Sequence, residues 1–220
     1  MHAKLRLSVS RSAFTIALLA FMAAFLPQDA YAQTVIDEWS TIKAPPPPAL
    51  KPATIDDPQT TALLIMDVNS QTCTAQRRPR CAASVANLRK LVDGAHAKGM
   101  LVLYTLSGTT TMADILKEIA PAPDDPVLPS FGPDKFMGND LEKILKIKGI
   151  KTIVAAGTAA HTSVLHTGSG AALRGYKVIV PIDAISSDQP YQEQYTLVHL
   201  ATASRVFDKT TLTTTGMMHF

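Results

Sequence analysis

Residues 149–184 read GIKTIVAAGTAAHTSVLHTGSGAALRGYKVIVPIDA, and this stretch decides the fold. Thr152 to Ala156 is a short β-branched and apolar run that leads directly into Gly157. Such a run reads as a strand buried on both faces. His161 to Arg174 follows at helical length, and Gly175 stops it. Lys177 to Ile182 is the next apolar run, ending at Asp183. Strand, helix and strand in so short a span form a βαβ unit.

The same alternation extends in both directions. Upstream, Asp140 to Lys148 is helical and ends at Gly149. Thr61 to Met66 (TALLIM) is a buried strand ending in Asp67. Residues 74–81 are a basic loop. Ala82 to Lys98 carries Val85, Leu88, Leu91, Val92 and Ala95 at helical spacing before Gly99. Met100 to Leu106 is another strand, Met112 to Ala120 a short helix, and Pro121 to Pro133, with its five prolines, a long loop. Downstream, Pro190 to Ser204 is a helix with Pro190 suited to its first turn. A last strand is expected near Val206 and Leu212 to Thr214. The pattern predicts an α/β domain with a parallel sheet covered on both faces. Ligands of such sheets bind beyond the carboxyl ends of the strands, which directs attention to Asp67, the 105–111 loop, the Gly157–Ser163 turn and Asp183.

The N-terminus has a different character. Lys4, Arg6 and Arg11 precede an apolar run from Ala13 to Leu26, and Ala30-Tyr31-Ala32 supplies small residues before Gln33. That order predicts a signal peptide over residues 1–32, cleaved near Ala32, and a periplasmic or secreted product. The competing reading is an uncleaved anchor, but the run falls short of the ~20 residues of a spanning helix. The full chain of 220 residues has 21 Lys and Arg against 18 Asp and Glu. Without the leader, 188 residues remain with 18 basic against 17 acidic, so no stable membrane insertion is expected and nucleic acid is excluded as a partner. Residues 33–59, with Pro45 to Pro48, read as a Pro-rich arm, and 60–220 as the domain. Cys73 and Cys81, with seven residues between them, favour a local disulfide in an oxidising compartment; the other reading is two buried thiols.

On position alone, Asp67 serves either as a general acid/base or as a brace for its loop. The small-residue turn Gly157-Thr158-Ala159-Ala160-His161-Thr162-Ser163 either presents backbone N–H groups to an oxyanion or is a plain tight turn. Together, TALLIMD and the segment PDKFMGNDLEKILKIKGIKTIVAAGTAAHTSVLHTGSGAALRGYKVIVPIDAIS resemble the isochorismatase-like, or cysteine hydrolase, superfamily over most of residues 60–207. The resemblance implies a Rossmann-like three-layer sandwich, assembly as a homo-oligomer, and a site built from an Asp, a Lys and a Cys. Asp67 matches the Asp. Ser163 stands at the position of the Cys. Lys135 is the nearest lysine for the third member, but it directly precedes Phe136, whereas the family lysine lies further upstream, where Ser130 and its neighbours stand here. A non-proline cis peptide is implied at Thr158–Ala159, with the Ala159 and Ser163 N–H groups as the oxyanion hole.

A serine hydroxyl is a far weaker acid than a thiol and normally needs a base. His166 follows Ser163 by three residues but reads as a packing or solvent-facing residue; His161 is placed to face the pocket as a binding group. Nicotinamidases of the superfamily carry an Asp-x-His metal motif after the second strand, and Thr105 to Thr111 lacks it, so no metal and no cofactor are expected. The resulting expectation is an exported hydrolase of a small amide, ester or enol ether, with Asp67, Asn69, Phe136, His161 and Ser163 around the substrate. The alternative is a non-catalytic protein that binds a small molecule on the same fold.

Overall fold

A computed structural model describes residues 34–220; the expected leader lies outside the described residues. Two units are distinguished, divided between Lys43 and Ala44. The described part of the first is one helical turn, Val35–Glu38, whose start is tied by the Thr34 N–H and hydroxyl donating to Asp37 Oδ2 at 2.7 and 2.9 Å.

The second unit carries the α/β domain. Its elements in chain order are β1 (Ala53–Thr54), β2 (Thr61–Met66), α1 (Pro79–Ala97), β3 (Leu101–Ser107), β4 (Val127–Ser130), α2 (Leu141–Ile147), β5 (Thr152–Thr158), α3 (Leu165–Leu173), β6 (Lys177–Pro181), β7 (Ile185–Ser186), α4 (Pro190–Thr202), β8 (Thr210–Thr213) and β9 (Met218–His219). Six strands run in the order β4-β3-β2-β5-β6-β8, β7 pairs with the end of β5, and every pairing in this sheet is parallel.

Alternation of side chains along each strand divides the core into two layers. Leu63, Ile65, Val102, Tyr104, Val154 and Ala156 pack on α1 through Leu88, Leu91, Val92 and Ala95. Ala62, Leu64, Met66, Leu103, Ile153 and Ala155 point the other way, onto Leu141 and Leu145 of α2, Ala171 and Ala172 of α3 and Leu200 of α4. Because both faces are covered, β2 and β5 are apolar throughout apart from the threonines at their ends, as expected of central parallel strands. The three-layer sandwich is the expected one.

Three local expectations are corrected. The expected arm of residues 33–59 does not lie wholly outside the core: the stretch from Lys51 to Ile55 joins the domain. The Lys51 N–H donates to Leu212 O at 2.9 Å, β1 pairs in parallel with β9, and Ala53 and Ile55 are buried. The partner strand lies at the far end of the chain, which no local pattern can announce. The 121–133 loop contains edge strand β4, tolerant of Pro129 because an edge strand needs fewer ladder donors. Residues 112–120 form two 3₁₀ turns, Met112–Asp114 and Lys117–Ile119, rather than one helix.

Candidate active site

β2, β3 and β5 end side by side, with Met66 in register with both Thr105 and Gly157. Gly157 has φ +117°, and a Cβ there would lie 2.3 Å from Met66 O and 2.6 Å from Met66 N. Only glycine permits this approach of two backbones. The chain beyond Met66 turns sharply: Asp67 has φ 56°, a left-handed conformation that Asp tolerates better than most residues and that is enriched at functional sites.

The turn aims the Asp67 carboxylate across the strand ends. Oδ1 accepts from the Thr105 hydroxyl at 3.0 Å. Oδ2 accepts from the Ser163 hydroxyl at 2.8 Å and lies 2.5 Å from Lys135 Nζ. The Lys135 side chain is 2% exposed and that of Asp67 10%. A buried charge pair persists only when its remaining polar atoms are also satisfied, and here they are: Lys135 Nζ donates further to Ser130 Oγ at 2.6 Å and Gly132 O at 3.0 Å. Ser130 therefore binds the ammonium that Lys135 delivers from further along the chain.

Phe136 explains how Lys135 is aimed. Its ring stacks on Tyr176 at 6.1 Å, and the Arg174 guanidinium lies 4.4 Å from its centroid. Phe136 is thus an anchor in the layer below, and its neighbour Lys135 points the opposite way, into the site. The Lys135 N–H donating to Thr167 Oγ1 at 3.0 Å holds the backbone between them.

Beyond β5 the Thr158–Ala159 peptide is cis. Ala160–Val164 form a single wide π turn before α3 begins, a feature often found at functional sites. This turn brings Ser163, 3% exposed, to Asp67. The Ala159 N–H has no hydrogen-bond partner among the described residues, so it is open to an incoming oxygen. A cavity of about 550 Å³ opens over the cluster, bounded by Thr72, Arg78, Phe131 and Thr162 in addition to Asp67, Lys135, Thr158, Ala159 and Ser163. A larger recess of about 660 Å³ lies at the opposite strand ends, around Lys151, Lys177 and Lys209; it contains none of the Asp67 cluster.

Three expected binding residues do not line the cavity. Asn69 braces its own loop: Oδ1 accepts from the Gln71 and Thr72 N–H groups, each at 3.1 Å, and Nδ2 donates to Asp67 O at 3.1 Å. Phe136 faces the core layer described above. His161 Nδ1 pairs with Ser187 Oγ at 2.9 Å, turned toward the start of α4. His166 is exposed, as expected. Asp183, at a strand end, accepts from the Thr215 N–H and hydroxyl at 2.8 and 2.7 Å and is a loop brace. Sequence reasoning reached Thr105 and Thr162 only as parts of strand-end loops, and missed Arg78, Thr72 and Phe131 as cavity residues. Thr105 was signalled by its place at the end of β3, and Arg78 by the basic loop. Among the described residues no group of three or more His, Cys, Asp or Glu side chains is placed to hold a metal ion.

Arg78 donates through Nε and Nη2 to the two Asp188 carboxylate oxygens at 2.8 and 3.2 Å, and through Nη1 to Thr158 Oγ1 at 3.0 Å. The guanidinium holds the Asp188 carboxyl below its usual range. The loop that contains Arg78 is closed by the Cys73–Cys81 disulfide, with Cα atoms 5.1 Å apart.

A parallel α/β sandwich whose central strand ends on a buried Asp–Lys pair facing a serine defines a hydrolase-type scaffold. The family model for the isochorismatase domain matches residues 61–212, and the chain belongs to the isochorismatase family of hydrolases. It is 28% identical over 157 residues to the secreted isochorismatase effector Isc1 of Verticillium dahliae, covering 66% of this chain and 83% of that protein. It is 27% identical over 146 residues to N-carbamoylsarcosine amidase of an Arthrobacter species, covering 54% of this chain and 55% of the amidase; the chain thus spans little more than half of that enzyme. A solved isochorismatase family protein of Desulfovibrio vulgaris superposes with a TM-score of 0.65 at 20% identity, covering 71% of this chain and 95% of the other. That likeness concerns the fold.

Proposed function

We propose that the protein is an exported hydrolase of a small amide, ester or enol ether, with Asp67, Lys135 and Ser163 as its catalytic group. The observation that carries this reading is the shared oxygen: Asp67 Oδ2 receives both the Ser163 hydroxyl at 2.8 Å and the Lys135 ammonium at 2.5 Å. Ser163 stands in place of the family's cysteine. With His161 and His166 turned elsewhere, the base within reach of its hydroxyl is Asp67.

For an amide or ester, Asp67 takes the Ser163 proton as Oγ attacks the carbonyl carbon. The Ala159 and Ser163 N–H groups receive the developing oxyanion. The protonated Asp67 then gives its proton to the leaving nitrogen or oxygen, and the acyl–serine bond is cleaved by a water that Asp67 activates in turn. Lys135 keeps the carboxylate charge compensated and oriented throughout. For an enol ether, Asp67 in its protonated form gives its proton to the vinyl carbon, water adds to the resulting oxocarbenium carbon and returns a proton to Asp67, and the hemiketal collapses by breaking its C–O bond to release the alcohol; no bond to Ser163 forms. Hydrolysis of an amide is consistent with the similarity to an amidase.

Export is supported by the leader pattern, by the Cys73–Cys81 bridge, and by a relative named as secreted. No helix among the described residues is long and apolar enough to cross a membrane. Cleavage near Ala32 is checked by the N-terminal mass of the exported protein, and assembly as a homo-oligomer by light scattering.

The mature protein is to be screened against amides, esters and vinyl ethers, with Asp67→Asn and Ser163→Ala as controls. Loss in both supports acyl transfer through Ser163. Loss in Asp67→Asn alone supports protonation. Turnover that survives Asp67→Asn overturns the site assignment, and a mature protein that binds but hydrolyses none of the three classes supports the non-catalytic alternative.

A further inference from the structure

The cavity is bounded by two cations that differ in what they have left to offer. Lys135 commits all three ammonium donors, to Asp67, Ser130 and Gly132, and Asp67 compensates its charge. Arg78 makes three hydrogen bonds, two to Asp188 and one to Thr158. A guanidinium carries five N–H donors, so two remain without a partner among the described residues. The side chain is 17% exposed, and Arg78 lines the cavity. Asp188, half-exposed, does not line the cavity and grips the guanidinium along one edge. Thr158 Oγ1 donates to Ser186 O at 3.0 Å, so its lone pairs are available to fix Arg78 beside the cis peptide and the open Ala159 N–H.

The backbone of Arg78 is held equally firmly. Its N–H donates to Thr74 O at 2.9 Å, its carbonyl accepts from the Cys81 N–H at 3.0 Å, and both contacts lie within the ring closed by Cys73 and Cys81. An arginine ordered before the ligand arrives loses little conformational freedom on binding. Its spare donors match a planar carboxylate. Apart from Asp67, no carboxylate lines the cavity, so nothing inside it competes for them.

We infer that Arg78 is a substrate-binding and specificity-determining residue: it takes a free carboxylate on the substrate, so the hydrolysed amide, ester or enol ether belongs to a carboxylate-bearing molecule. The assignment of the scissile bond rests on the function proposed above, but the anion subsite itself requires no turnover.

The test is equilibrium binding of benzoate and of its neutral isostere benzamide to the mature, disulfide-bonded protein. Benzoate is expected to bind more tightly than benzamide, and Arg78→Gln to lower the benzoate-to-benzamide affinity ratio at least tenfold, with partial recovery in Arg78→Lys. A ratio unchanged by Arg78→Gln overturns the subsite, as does a wild-type protein that binds benzoate no better than benzamide. Should Arg78→Gln fail to fold, salt supplies the reading on the wild type: raising sodium chloride tenfold is expected to weaken benzoate but not benzamide, since mobile ions screen a partly exposed charge pair. An equal response of the two ligands overturns the proposal. Ser163→Ala distinguishes this inference from the catalytic reading. If the enzyme reading fails and no substrate is turned over, benzoate still binds wild type and Ser163→Ala in an Arg78-dependent way; if the subsite fails, turnover proceeds without any preference for carboxylate-bearing substrates.

Discussion

Replacing Lys135 by Met would remove a cation whose partner cannot escape to water. The Lys135 nitrogen lies 2.5 Å from Asp67 Oδ2, and the two side chains are 2% and 10% exposed. For charge centres about 3.5 Å apart and an effective dielectric of about 20, the attraction is of order 5 kcal/mol. Methionine fills most of the volume but leaves the carboxylate with only the Thr105 and Ser163 hydroxyls. Breaking a buried pair in this way costs about 3–5 kcal/mol. Asp67→Asn alone strands the ammonium in turn. The double variant strands neither charge, so the two costs should fall short of adding by about 1–3 kcal/mol. Urea unfolding of the oxidised protein, followed by circular dichroism, measures all four corners of the cycle; an unchanged denaturant slope confirms that the same surface is exposed each time. A Lys135→Met protein within about 0.5 kcal/mol of wild type, or strictly additive variants, would refute the claim that one oxygen of Asp67 is the electrostatic centre of the site.

Three further outcomes follow from neighbouring features. The Cys73–Cys81 bridge spans a sequence separation of 8, and replacing both by Ser should cost about 2–3 kcal/mol through the loosened unfolded chain; wild type unfolded in reductant should match the variant, and unequal values would show the bridge to act otherwise. Gly157→Ala places a methyl 2.3 Å from Met66 O at φ +117° and should cost at least about 3 kcal/mol, whereas Gly132→Ala, with nothing within 4 Å of its Cβ, should be close to neutral; equal unfolding midpoints for the two would contradict the close strand approach. Asp188 has a folded pKa lowered first by its hydrogen bonds from Arg78, so its stabilising contribution is present above the unfolded value of about 4 and is lost as pH falls through the lowered folded value. Urea midpoints taken from about pH 5 downward should therefore fall less steeply in Asp188→Asn than in wild type; parallel curves would remove Asp188 from the account.

The parts of the fold legible in the sequence are those whose burial is two-sided. β2 reads as a strand at its observed ends because TALLIM is buried at every position, and a continuous apolar run of that length has few other uses. β4 was lost among prolines because VLPS is an edge strand, half-buried and paired on one side. β1 was lost because its partner, β9, lies at the other end of the chain, and two-residue strands have no period to detect. The 112–120 segment has helical composition, but the Thr111 hydroxyl and N–H both bond Asp114 and close a single short turn.

The site divides along a different line. Asp67 and Ser163 could be found because strand topology places their backbones at the carboxyl edge. The direction of a side chain depends on which groups satisfy its polar atoms, and those are non-local. Asn69 is two residues from Asp67 and buried, but its amide is consumed by its own loop. His161 is two residues from Ser163, but Ser187 turns it away. Lys135 is the converse: its position in sequence argued against it, and Ser130 and Gly132 nevertheless draw its ammonium to Asp67. Arg78 follows the same logic one step further. Asp188, outside the cavity, and Thr158, on its wall, satisfy three of its donors, which leaves two without a partner among the described residues on a side chain that lines the cavity. A polar residue held by its own loop away from the cavity, as Asn69 is, braces the structure, whereas one that lines the cavity with donors to spare is a candidate binding residue. By that criterion Arg78, rather than Asn69 or His161, is the residue proposed to select the substrate.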